Sequence, residues 1–285
     1  MFVLKNISAF ILLLAFIPFS CKNKSEPYKS PKGYDINTPV KFVMKEALRE
    51  ISGITFLNGN YETMYAVEDE AGKLYSFTLG SQKLSYSNFH ERDDFEDVTV
   101  LNNNTFAILK SNGSILLIPA TEIGKKNIDS LQEYKKVLPE GEYEGLFAAG
   151  DKLFALCKNC PGDKGTKEVS VFTMEQVNGA SLSVIKTFKV DISMVETDGG
   201  KGKAEFHPSC LSKNPVTKEW FIISAVNKVM VILDEQWKVK AFYPLNPSIF
   251  KQPEGLTFNS KGDMYISNEG GKGSANILMF RYRDM

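Results

Sequence analysis

QPEGLTFNSKGDMYISNEGG, residues 252–271, sets Glu254 before Gly255 and an apolar run, then closes the next run with Ser267-Asn268-Glu269. Taken once, this is the pattern of any hairpin: two short runs rich in aromatic and β-branched residues around a polar turn. Recurrence gives it meaning. LREISGITF supplies Glu50, DFEDVTV supplies Glu96 and EYEGLFA supplies Glu144. FHPSCLS is a weaker copy that puts His207 where the others have an acid. The copies lie about 47 residues apart, with one longer interval before His207, and a period of this size marks a propeller or a solenoid.

Within each copy a second apolar run follows the acid: MYAVED, FAILKS, LFALCK, WFIISA and MYISNE. A turn leads to a third run, from KLYSFTL in the first copy to NILMFRY in the last. No stretch sustains a capped helical period, so the chain is expected to be all-β. Single antiparallel units of this length cannot bury both faces, whereas a radial arrangement packs each sheet on its neighbours and leaves short edges. The last unit has only three runs, and PVKFVMK (39–45) stands unassigned before the first. That segment is the expected fourth strand of the last blade. The prediction is a five-bladed β-propeller over residues 39–285 whose N-terminal strand completes the last blade. VETDGGKGKAE is read as an exposed loop within the long interval.

The 285 residues carry 34 basic and 34 acidic side chains and are 43% hydrophobic, an ordinary globular balance. With no basic excess, a nucleic-acid partner is not expected. Residues 1–20 have one early cation, Lys5, and an apolar run ending at Phe19, which is short for a membrane span and reads as an export signal. Ser20 before Cys21 resembles a bacterial lipoprotein signal, in which Cys21 is lipidated and leads the mature chain; plain secretion is the competing reading. Residues 21–38 are polar, rich in Lys, Ser and Pro, and are expected to be a flexible tether. The expected location is therefore the periplasm or outer membrane, with the membrane as a partner through the lipid anchor.

EISGITF with VEDEAGKLYSF, then DFEDVTV, then PEGLTF with MYISNE, in this order and spacing, resemble the SdiA-regulated (YjiK-like) family over residues 45–282. The resemblance implies a five-bladed propeller, a calcium site and an envelope location. It is more distantly similar to NHL-repeat, phytase-like and gluconolactonase-like propellers.

The first strand of each blade lines the central channel, so the repeated acids Glu50, Glu96, Glu144 and Glu254 are expected to form a ring, with His207 as its odd member. Crowded carboxylates in a partly desolvated channel repel and call for a cation, shared protons or basic partners. A hard cation with oxygen ligands suits them, and Ca²⁺ is the expected cofactor. Zinc would want more than the two histidines, His90 and His207. Asp69, Asn268 and Glu269, at the ends of second runs, are expected at the same mouth. The competing reading is that each acid only caps a turn.

Cys157 and Cys160 form a CxxC in an exported chain, read first as a short-loop disulfide, with free thiols as the alternative. Cys210 is expected to be a small buried hydrophobe. His207 could serve as a channel base, although a lone histidine is commonly structural. Two functions compete. One is a lipid-anchored, calcium-binding scaffold for an unknown small-molecule or protein ligand. The other is a metal-dependent hydrolase of phosphoesters or lactones, with Lys110 and Lys158 beside the cation. No nucleophile elbow, zincin motif or P-loop is present, which favours the scaffold.

Overall fold

A computed structural model describes residues 26–57, 60–177, 181–195 and 205–284. The export signal and Cys21 lie outside the described residues, as does most of the VETDGGKGKAE segment.

Five four-stranded antiparallel sheets make up the described fold, as the period required. The inner strands are Ile51–Leu57, Phe95–Leu101, Glu142–Ala149, Cys210–Lys213 and Pro253–Phe258. The second strands are Asn60–Glu68, Thr105–Lys110, Lys152–Asn159, Trp220–Ser224 and Met264–Asn268. Blades 1 to 4 each use four consecutive strands. Blade 5 has three, and its outer strand is Val40–Val43, which pairs antiparallel with Asn276–Phe280. Closure therefore joins the N-terminal strand to the last blade.

Five apolar clusters hold the ring, one at each blade junction. Between blades 5 and 1, Ile51, Ile54 and Phe56 meet Tyr265 and Ile277. Between blades 4 and 5, Phe221, Ile223 and Met230 meet Leu256, Ile266 and Phe280. The other three junctions repeat the arrangement. Because no blade buries both faces alone, stability is shared among the interfaces.

At the axis the inner strands nearly touch. A Cβ on Gly255 would fall 2.4 Å from the Ser52 carbonyl oxygen, and one on Gly145 would fall 2.8 Å from the Leu211 nitrogen. Asp97 occupies the matching place in blade 2 and uses its carboxylate as a latch. Its Oδ1 accepts from the Val98 N–H at 2.8 Å, and its Oδ2 accepts from the Leu146 N–H of blade 3 at 2.7 Å.

The described part of the expected tether is not loose. Tyr34 and Ile36 are buried in the junction between blades 4 and 5. Tyr34 Oη donates to the Gly262 carbonyl at 2.6 Å and accepts from Asn214 Nδ2 at 2.6 Å. Tyr28 and Asn37 exchange hydrogen bonds of 3.0 and 2.8 Å, folding the segment back on itself. The composition rule missed this because one tyrosine and one isoleucine are enough to fasten a polar stretch to an open seam.

Candidate functional site

The channel opens at one end into a cavity of about 580 Å³. Two five-fold rings of residues line it. The inner-strand starts give Ser52, Glu96, Glu144, Ser209 and Glu254; the second-strand ends give Asp69, Ser111, Lys158, Ala225 and Glu269. Each ring takes one residue per blade because each blade places the same strand end at the axis.

The observed ring differs from the expected one at two positions. Glu50 is exposed and lies two residues before the ring position, which Ser52 occupies. His207 likewise lies two residues before Ser209 and does not line this cavity. It borders a neighbouring cavity with Cys157 and Cys160, and its Nε2 lies 3.9 Å from Glu205. The register is fixed not by the acid but by the small residue after it, which faces the adjacent inner strand. Aligned on Gly53, Asp97, Gly145, Cys210 and Gly255, the sequence places Ser52 and Ser209 correctly. Asn268 is also absent from the lining: it is fully buried beneath Glu269 and donates to Asn276 Oδ1 at 3.4 Å. Asp69, Glu96, Glu144, Glu254 and Glu269 all reach the cavity as expected.

Inter-blade connections add Asp94, Lys251 and Gln252, the first residue of the blade-3 inner strand adds Glu142, and the blade-4 turn adds Val226 and Lys228. Asp94 comes from NFHERDDFED, in which Arg92 pairs with Glu70 and Asp93 with Lys110. Lys110 also bonds Glu133 at 3.1 Å and is not at the mouth. Among the described residues seven carboxylates thus face three lysines, and the one ion pair between them is Lys158 Nζ to Glu144 Oε1 at 2.5 Å.

That imbalance shows in the protonation of the acids. Burial, then Glu144 and Asp94, pushes Glu96 up to about 10. Burial, then Glu144 and Glu269, pushes Glu254 up to about 8. Glu269 rises to about 7 through burial and the charges of Asp69, Glu50 and Glu144. Asp69 rises to about 6 through burial and a hydrogen bond shared with Asp94. Burial raises Glu144 as well, against the opposing pull of Lys158. Positive charge brought among these groups would lower all of these values and favour the carboxylates.

Three acids of the mouth converge. Asp69, Asp94 and Glu96 each bring a carboxylate oxygen within 4.8 Å of the other two. Cys157, Cys160 and Asp163 are similarly close, but the two sulfurs are joined as a disulfide with a Cα–Cα distance of 6.0 Å. Cys210 is a buried free thiol. The disulfide closes the loop that carries Lys158, and Gly141 packs on both sulfurs just before Glu142.

The SdiA-regulated family model matches this chain over residues 29–154. That stretch runs from the fixed N-terminal segment into the second strand of blade 3, and it contains Asp69, Asp94 and Glu96. No curated protein matches the chain. Among solved structures, virginiamycin B lyase from Staphylococcus aureus is 12% identical, with a TM-score of 0.46 covering 85% of this chain and 69% of that one. A chain of the nidogen/laminin complex is 10% identical, with a TM-score of 0.47 and coverage of 76% and 72%. The WD40 propeller domain of Doa1 is 8% identical, with a TM-score of 0.47 and coverage of 86% and 96%. These low likenesses add nothing to the architecture already described.

Proposed function

We propose that this propeller is a lipid-anchored, calcium-binding scaffold of the bacterial envelope, with the ion held by Asp69, Asp94 and Glu96. The supporting observation is the convergence of those three carboxylates in a mouth that holds seven acids and one ion pair. All the donors are oxygens on strand ends and connecting loops, the loose hard-ligand geometry that Ca²⁺ accepts. Glu269 and Glu254 stand in the same cavity and complete the negative field. Anchoring rests on the export signal and Cys21.

The hydrolase reading is weaker. Of its two lysines, Lys110 lies outside the cavity and Lys158 is engaged by Glu144. Among the described residues no side chain at the mouth is set as a nucleophile against a base. Calorimetric titration of chelator-treated protein with Ca²⁺ tests the proposal. Saturable heat in the wild type, lost in Asp69→Asn/Glu96→Gln, is expected; no heat and no thermal shift rejects it.

A further inference from the structure

The opposite end of the channel has a different lining. There the far ends of the inner strands enclose a pit of about 240 Å³, walled by Phe56, Val100, Phe147, Leu256 and Phe258. Among the described residues Lys213 is its one charged lining residue, and the ammonium lies 5.2 Å from the Trp220 ring centre. Tyr61 and Pro215 stand in the rim; the next residue, Val216, is 44% exposed.

The path of the chain ties this end to the N-terminus. Inner strands start at the acidic mouth and finish at the pit, so each hairpin between first and second strands lies on the pit side. Gly262 and Asn214 are in two such hairpins, and both bond Tyr34. Val40 pairs with Met279, near the pit-side end of the third strand of blade 5. The Tyr28–Asn37 bonds hold Tyr28 against Asn37, three residues before Val40, on the same side. The chain therefore enters the fold on the pit side, away from the mouth.

The spacer is short. Six residues separate Cys21 from the fixed Tyr28, and the seven Cα–Cα steps reach at most about 25 Å. A flexible tether of the full expected length would let the domain turn freely; this one would not. We propose that the pit face is a membrane-apposed surface that meets the lipid headgroups, while the acidic mouth points away from the bilayer. This rests on the anchored reading above. Tyr61 has the apolar body and polar tip that suit the headgroup boundary, and Pro215 and Val216 carry no charge to desolvate.

The test uses the full chain with its own signal, purified from membranes and reconstituted in phosphatidylcholine/phosphatidylglycerol vesicles that carry a headgroup quencher. Lys261→Cys places a reporter on the pit side and Lys272→Cys one on the mouth side; both positions are exposed. The native thiols do not compete, because Cys157 and Cys160 are paired, Cys210 is buried and Cys21 would be acylated. The expected result is about threefold stronger quenching at the pit-side label, since headgroup contact falls off within a short distance of the boundary. A twelve-residue Gly-Ser insertion after Glu26 should bring the ratio toward one. Vesicle-bound protein with equal or reversed quenching overturns the orientation and leaves anchoring intact. Wild-type protein that fails to float with vesicles overturns both. Disulfide crosslinks between Lys261→Cys copies at low surface density would show that a second copy covers the face, and would overturn it too.

Discussion

The two ends of the channel are built by the same five inner strands, yet one gathers seven carboxylates and the other a single lysine. The difference comes from which residues precede and follow each strand. At the mouth, the strand starts receive side chains from the loops between blades, where charge costs little until neighbours crowd it. At the pit, the strand ends continue the alternation of the core, so Phe56, Val100 and Phe258 are packed as well as lining. One end is organised to be stable and the other is left electrostatically unfinished. Substitutions at the two ends should therefore act with opposite sign.

The largest effect is expected at the pit. Phe258→Ala removes a buried ring from the junction of blades 4 and 5 and should cost about 3–5 kcal/mol, read from the shift in urea midpoint at constant slope. Asp97→Ala, midway along the axis, comes next. It strands the Val98 and Leu146 N–H groups in a buried place and should cost about 2–6 kcal/mol, at about 1–3 for each orphaned donor.

At the mouth the sign reverses. Glu96, Glu254, Glu269 and Asp69 all hold their protons more tightly folded than unfolded. Between their ordinary values and their raised ones, the folded state binds more protons, so metal-free stability should fall as pH rises from about 5 to about 10. Glu96→Gln should stabilise the metal-free protein at pH 8 and flatten that slope, seen as a higher Tm in chelator. With Ca²⁺ at 100 times its Kd the wild type should gain about 2.7 kcal/mol, and the variant much less. Calcium binding should also release protons, measurable as a buffer-dependent heat.

The smallest effects sharpen the register. Glu50→Gln should change stability by no more than about 0.5 kcal/mol, because its exposed side chain is outside the ring. Ser52→Glu would put an acid into the ring and should raise calcium affinity, checked by titration. A null result at Ser52 with a strong one at Glu50 would restore the acid-based alignment.

The fold was legible in the sequence because every blade repeats its three apolar runs, and the closing strand was legible because the last unit lacked one. The site was only half legible. Glu96, Glu144 and Glu254 precede a small residue directly, so aligning on the acid or on that residue gives one answer. Glu50 and His207 are followed by two intervening residues, and there the alignments part. What decides is the close approach of neighbouring inner strands, a constraint that acts on Gly53 and Cys210 and leaves the acids free. Asp94 lies in a charged loop, and its convergence on Asp69 comes from the neighbouring blade, which local spacing cannot show.

The pairing of Val40–Val43 with Asn276–Phe280 sets the order of events as the chain is made. The outer strand of the fifth blade emerges before the other named strands, and its partner emerges after them. Until the final residues arrive, four blades can assemble while this early strand waits with one ladder unsatisfied. Completion of the ring is thus a single late event, and a chain cut short before Asn276 would leave an open edge inviting pairing with other molecules.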